Sequence, residues 1–315
     1  MKVSVVVATY NGHKYIYQQL ESVRMQTRQA DEVIISDDNS TDDTYNQCLS
    51  YINEHNLTNW KLIKTGQNAG YYKNFMNAIE NSTGDIIFLA DQDDVWLDYK
   101  ISDMASLMER NTQILSLAST FCKIDENGEK IGAYVKHPYY KKNGIKKISL
   151  RKFFKHPYYL GMSMAIKREL FEEIKNVDNY DLVHDIMLNL YAAQKEGFFF
   201  YDKVLTKRRY YDASASSVVF KKEKEKQYTG KKKGTFQIWI QLKHFKIMMK
   251  ILQKDQSLSI KSKKLLNRFI KCCENRYDYI EKKEILKWII NIKYIRYYKS
   301  FLHYLYDLKL ILNKQ

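Results

Sequence analysis

Only 2 prolines and 11 glycines interrupt this 315-residue chain, and it holds no low-complexity tract and no internal repeat. Set beside 45% hydrophobic and 28% charged residues, that scarcity argues against disorder and for a folded core. The length suits one large domain, or one domain with a substantial appendage. Cysteine is scarce too. Cys48, Cys122, Cys272 and Cys273 show no CxxC or Cys/His spacing, and two of them are adjacent, which is poor geometry for a disulfide framework. They read as reduced packing residues of a cytoplasmic protein. No run approaches the ~20 apolar residues that a membrane span needs. Met1-Lys2 leads directly into Val3-Ser4-Val5-Val6-Val7, without the apolar region or cleavage site of a signal peptide. The expectation is a soluble protein, or one peripheral at the inner face of the plasma membrane.

Charge is abundant but uneven. Residues 1–220 carry 27 Lys+Arg against 28 Asp+Glu, whereas residues 221–315 carry 25 against 8. All of the net +16 therefore sits in the last third, which suggests two parts: 1–220 and a basic region over 221–315.

The first part alternates apolar β-rich runs with helical stretches. Strands are predicted at Val3–Ala8, Glu32–Ser36, Trp60–Lys64 and Asp85–Ala90, with helices at Lys14–Met25, Asp42–Glu54 and Tyr71–Asn81. Continuous apolar strands in this rhythm predict a parallel sheet covered on both faces, whose ligands bind beyond the carboxyl ends of the strands. Further on, Leu115–Phe121 and Phe198–Tyr201 look like strands, and Lys167–Ile174 and Ile186–Glu196 like helices. A Lys/Glu run from Phe220 to Gly234 is the linker candidate. Helices are predicted at Thr235–Leu252, Ile260–Asn275 and Tyr279–Leu312, the first with Ile238, Leu242, Phe245, Met249 and Leu252 at helical spacing.

The four strand ends carry polar residues: Thr9-Tyr10-Asn11-Gly12, Asp37-Asp38-Asn39-Ser40, Gly66-Gln67-Asn68-Ala69-Gly70 and Asp91-Gln92-Asp93-Asp94. Three carboxylates at the tip of a buried strand repel one another unless a cation sits among them. A hard divalent ion, Mn²⁺ or Mg²⁺, is the natural partner, and it would also bridge a diphosphate. The bland alternative is a solvated acidic loop that caps the next helix through Asp94 or Asp98. Asp37-Asp38 can accept from a pyrimidine N–H or a ribose hydroxyl, or cap the helix near Asp42. Thr9 can serve the base or ribose, or only the turn with Asn11-Gly12.

VSVVVATYNG, SDDNSTDDT, NAGYYKNFMNAI and STGDIIFLADQDDVW, in that order over about residues 1–100, resemble the family-two glycosyltransferases of GT-A fold. The resemblance implies a nucleotide-diphospho-sugar transferase domain over 1–220, with a Rossmann-like mixed sheet flanked by helices. Residues 1–100 would form its nucleotide-sugar half and 101–220 its acceptor half, ahead of a C-terminal helical appendage. It implies Thr9, Tyr10, Asn11, Asp37, Asp38 and Asn68 around the nucleoside, with Lys73 toward the same cleft. Asp91 falls to ribose, donor sugar or metal, and Asp93 to the main metal ligand. Gly161-Met162-Ser163-Met164-Ala165-Ile166-Lys167-Arg168 resembles the acceptor-side segment of the family. Val183-His184-Asp185-Ile186 resembles the His-Asp pair of its rhamnosyltransferase-like members, which makes Asp185 the implied general base and inversion the implied outcome. An N-cap for the following helix is the structural alternative for Asp185, and packing, orienting Asp185 or metal binding are the alternatives for His184.

Where relatives carry a basic run ending in His, this chain has Lys207-Arg208-Arg209-Tyr210-Tyr211, so a cationic clamp on the diphosphate would use Arg208 or Arg209. The expected donor is dTDP-rhamnose or a UDP-hexose, since uracil and thymine present the same ring N–H. The acceptor is a saccharide or lipid-linked saccharide of bacterial surface polysaccharide synthesis. The basic region over 235–315 suits an anionic membrane surface, or a bundle contact including a homo-oligomer. Nucleic-acid binding leaves the acidic edge unexplained, and no nucleic-acid partner is expected. Nucleotidyl transfer would want a Gly/Arg/Lys-rich loop where Thr9-Tyr10-Asn11-Gly12 stands.

Overall fold

The computed structural model describes residues 1–132, 144–177, 182–211, 233–254 and 259–312. The chain forms two compact units: Met1–Ser149 with Tyr158–Tyr211, and Leu150–Pro157 with the chain beyond Tyr211. The linker expected at Phe220–Gly234 falls, up to residue 232, outside the described residues.

The first unit is built on a nine-stranded sheet. Strands β1 (Val3–Thr9), β2 (Glu32–Asp37), β3 (Trp60–Lys64) and β4 (Ile86–Asp91) run parallel in the order β3-β2-β1-β4. β1 and β4 are largely apolar because both of their faces are covered: Val5, Val6, Ile87, Phe88 and Leu89 expose nothing. Between these strands lie α1 (Ile16–Arg24), α2 (Thr44–Glu54) and α3 (Tyr71–Glu80). The expected parallel order ends at β4. There β8 (Met164–Lys167) pairs antiparallel with β4 and with β6 (Ser116–Ile124), making the sheet mixed. β6 runs parallel to β9 (Phe198–Arg209), which also pairs with β5 (Val95–Trp96) and β7 (Ile145–Lys147). Helices α4 (Lys100–Arg110), α6 (Arg168–Ile174) and α7 (His184–Gln194) complete this unit.

One expectation is corrected here. The strand expected at Phe198–Tyr201 runs on to Arg209, because β5 and β6 supply hydrogen-bond partners that carry it past the polar Asp202-Lys203. The segment Gly161–Lys167 is a single 3₁₀ turn (Gly161–Ser163) followed by the interior strand β8, and Arg168 opens α6.

The second unit is helical: α5 (Leu150–Lys155), α8 (Lys233–Lys254), α9 (Ile260–Glu281), α10 (Ile285–Ile290), a 3₁₀ stretch (Asn291–Tyr297) and α11 (Phe301–Leu312). Ser259 caps α9 by accepting from Ser262 N. The predicted continuous helix Tyr279–Leu312 is instead divided among the end of α9, α10, the 3₁₀ stretch and α11. The chain breaks at Lys283, whose φ is 56°, and the turn lets Trp288 of α10 stack on Tyr304 of α11 at 4.7 Å. Phe154 of α5, Phe245 of α8 and Phe269 of α9 form an edge-to-face trio that ties three helices together.

Candidate active site

Strand register gathers the first polar ends. Thr9 pairs with Asp37 across β1 and β2, while Ala8 pairs with Asp91 across β1 and β4. The carboxyl ends of three adjacent strands therefore lie level, where open α/β sheets bind ligands.

The β1–β2 corner is held by its own side chains. Asp37 accepts from Thr9 Oγ1 at 3.1 Å, Ser40 Oγ at 2.5 Å and Ser40 N at 2.9 Å. Asp38 accepts from Thr65 Oγ1 at 3.2 Å and from Ala69 N and Gly70 N at 2.8 Å each, which fixes the loop after β3. A carboxylate has about four acceptor positions, so each keeps roughly one for a ligand. Asn11 sits at φ 48° and accepts from Thr41 N, linking the loops after β1 and β2. Tyr10 is 42% exposed beside it. Asn68 and Lys73 stand exposed, Asn68 accepting from Gly70 N and Lys73 in the first turn of α3.

Gln92 was not singled out in the sequence. Its side chain pairs with both backbone groups of Tyr10, taking N–H at 2.7 Å and donating to O at 3.0 Å. Any Cβ at Gly12 would overlap Gln92 Oε1, so this glycine lets the two loops close together.

The acidic tip is the strongest feature. One carboxylate oxygen from each of Asp91, Asp93 and Asp94 lies within 4.8 Å of the others. Asp93 accepts from Tyr211 OH at 2.7 Å, and Asp94 from Arg209 N at 2.9 Å, but the second oxygen of Asp94 is buried with no hydrogen-bond partner. Burial and mutual repulsion push Asp91 up to about 7 and Asp94 well above the ordinary carboxylate range. Asp93 is raised as well, chiefly by burial. Buried acids held this way are destabilised as anions, and a divalent cation relieves them.

Cations reach the tip because β5 brackets it: Val95 pairs with Lys207 and Trp96 with Thr206. The two arginines that follow behave differently. Arg209, 3% exposed, is spent internally on Asp93 O, Asp125 O, Glu126 O and Gln18 Oε1. Arg208 lends its charge to Asp91, Asp93, Asp94 and Asp185, lowering all four. Lys100 is a further residue that sequence reasoning passed over. It is fully buried, donates to Met162 O at 2.5 Å and Thr206 Oγ1 at 3.2 Å, and lies 3.7 Å from the centre of the Trp96 ring. Burial pushes its ammonium well below the ordinary lysine range, while Asp94 and Asp91 pull it back. The clue was present, because Lys100 falls on the stripe of Ile101, Met104, Ala105 and Met108 that α4 buries.

Asp185 comes to the same place through β8. Antiparallel pairing of β8 with β4 sets the Gly161–Ser163 turn beside the carboxyl end of β4, and Asp185 accepts from Gly161 N at 3.1 Å. It also accepts from Ile186 N at 2.6 Å, in the first turn of α7, while Val183 holds the N-cap position. Burial raises Asp185 to about 6, and its charge in turn raises Asp91. His184 turns away and stacks on Phe75 at 4.1 Å with neither ring nitrogen hydrogen-bonded. Burial lowers it to about 3, so it is neutral. A Cβ at Gly161 would come within 2.7 Å of His184 Nε2, so the glycine makes room for this ring.

The description of glycosyl transferase family 2 matches residues 4–175, more than half of the chain. An Escherichia coli UDP-Glc:alpha-D-GlcNAc-diphosphoundecaprenol beta-1,3-glucosyltransferase is 29% identical over 198 residues, covering 58% of this chain and 77% of that protein. The dTDP-rhamnosyl transferase RfbG of Shigella flexneri is 30% identical over 195 residues, covering 58% of this chain and 62% of its own length. The structure of Staphylococcus aureus TarS 1–349 in complex with UDP-GlcNAc superposes with a TM-score of 0.63 at 17% identity, covering 99% of this chain and 89% of that one, a likeness of fold. With the matched residues running from β1 through the acidic tip to the end of α6, the chain belongs to glycosyl transferase family 2.

Proposed function

We propose that this protein transfers a sugar from a nucleoside-diphosphate donor to a saccharide hydroxyl, with inversion at the anomeric carbon. The observation that carries the proposal is the level gathering of Thr9, Asp37 and Asp91 at three strand ends, beside a carboxylate trio with one orphaned oxygen. Thr9, Tyr10, Asn11, Asp37 and Asp38 form the nucleoside end, with Asn68 and Lys73 on the adjoining loop and helix.

Asp93 and Asp91, joined by Asp94, would hold Mn²⁺ or Mg²⁺. When bound, the ion supplies positive charge to the diphosphate as it leaves. Arg208 adds to that charge, whereas Arg209 braces the loop that carries Asp93. Asp185 takes the proton of the acceptor hydroxyl as the new C–O bond forms and the bond to the diphosphate breaks. Its two hydrogen bonds leave acceptor positions free, and a value of about 6 places it as a carboxylate near neutrality, still basic enough to help. His184, buried and neutral, holds the wall of the site against Phe75.

The His-Asp pair and the similarity to a dTDP-rhamnosyl transferase favour dTDP-rhamnose as donor. A UDP-hexose is the second reading, favoured by the similarity to a UDP-glucose enzyme. The setting is bacterial surface polysaccharide assembly. A panel of nucleotide sugars with Mn²⁺ or Mg²⁺, following release of UDP, dTDP or GDP, tests the class. Turnover of one donor, abolished by EDTA and by Asp93→Ala, is the expected result. Failure to bind any nucleotide sugar in the presence of metal would contradict it.

A further inference from the structure

The helical unit carries apolar surface on its outside. Among the described residues, twenty large hydrophobic side chains are exposed, and ten of them lie between Ile285 and Leu312. Leu286 is 76% and Leu302 74% exposed, with Ile290 at 60% and Phe301 at 58%. They follow helical spacing. In α10, Ile285, Leu286, Ile289 and Ile290 share one face, while Trp288 is half-buried against Tyr304. In α11, Tyr304, Asp307, Leu310 and Ile311 are buried, and Phe301, Leu302 and Leu305 stand on the other side. Trp288 Nε1 donates to Tyr304 O at 3.0 Å and Tyr304 OH to Trp288 O at 3.0 Å, so the two helices are fastened side by side.

Apolar patches of this extent on a folded unit mark a docking surface. The surrounding charge says what docks. From residue 281 to 312 there are seven Lys+Arg and three acids, and one of those acids, Asp307, is buried on Arg276. Lys282, Lys293 and Arg296 are exposed in the same stretch of chain. We propose that α10, the 3₁₀ stretch and α11 dock on an anionic lipid bilayer, burying Leu286, Ile290, Phe301 and Leu302 at the headgroup boundary. The cations then meet lipid phosphates of opposite charge, and apolar burial and attraction act together. A second copy docked on the same face would oppose like cations across a two-fold axis. A bilayer removes that repulsion. The basic helix α8 offers no apolar stripe to the bilayer: Ile238, Leu242, Phe245 and Met249 are buried, with Phe245 packed on Phe154 and Phe269. Membrane contact expected over 235–315 thus narrows to 285–312.

The test is flotation of the full chain with vesicles of phosphatidylcholine, alone or mixed with phosphatidylglycerol, together with analytical ultracentrifugation. Binding at least about tenfold stronger to the anionic vesicles is expected. Leu286→Glu with Leu302→Glu should lower that binding about tenfold or more without moving the melting temperature, since both side chains point to water. Lys293→Gln with Arg296→Gln should weaken binding to anionic vesicles only. Absence of binding, equal binding to both vesicle types, or binding indifferent to these variants would overturn the proposal. So would a dimer that the leucine variants dissolve, which would assign the face to a second copy.

Discussion

Both units bury charge, and they treat it in opposite ways. In the helical unit Asp307 is fully buried, and Arg276 grips both of its oxygens at 2.8 Å while Tyr279 OH donates at 2.5 Å. Arg276 is held well above the ordinary arginine range by that pairing. At the tip of β4 three carboxylates crowd within 4.8 Å, no cation among the described residues forms an ion pair with them, and one oxygen of Asp94 has no partner. A satisfied buried charge specifies packing. An unsatisfied cluster costs stability in the free protein and recovers it when a ligand arrives, which is the mark of a site kept for function.

The contrast can be broken by substitution, beginning with the largest expected effect. Asp93→Ala should lower turnover about a thousandfold or more, equivalent to several kcal/mol of charge stabilisation, with no loss of melting temperature in metal-free protein. Asp307→Ala should do the reverse. It strands Arg276 in the interior, and calorimetry should register about 3–5 kcal/mol of lost stability. Asp185→Asn should lower kcat about a hundredfold while the KM for donor stays near its original value. In the parent enzyme, kcat/KM should fall tenfold per pH unit below about 6 as Asp185 takes a proton.

The smallest effect carries the sharpest sign. Asp91 is raised above its unfolded value to about 7, so the folded chain holds its proton more tightly. That contribution to stability is present at low pH and lost as pH rises through about 7. Asp91→Asn should therefore stabilise metal-free protein at pH 8, by about 1–2 kcal/mol in thermal unfolding, and Mn²⁺ should erase the advantage.

Much of the nucleotide half was legible in the sequence because buried parallel strands are written as apolar runs that stop at polar residues. Val3–Thr9 and Ile86–Asp91 end where Thr9 and Asp91 begin to face the ligand edge. Helix ends held within two residues, as at Ile16–Arg24 against the expected Lys14–Met25. Elements decided by distant pairing were not legible. β8 is four residues long and takes its place between β4 and β6 only through long-range hydrogen bonds. β5 has two residues, yet it sets Arg208 beside the acids. Leu150–Pro157 joins the helical unit without any local signal. The division of labour between Arg208 and Arg209 depends on which side of β9 each faces, and adjacent residues of one composition cannot reveal that. Nor does the 279–312 segment hold a proline or glycine to announce its breaks.

The most direct test of the central claim is calorimetric titration of the full chain with Mn²⁺ and UDP or dTDP, comparing the parent with Asp93→Ala and Asp307→Asn. Metal-dependent nucleotide binding in the parent, lost in Asp93→Ala and retained by whatever fraction of Asp307→Asn remains folded, is the predicted result. Nucleotide binding indifferent to Mn²⁺ and to Asp93 would contradict it, and would return the acidic tip to the role of a structural loop.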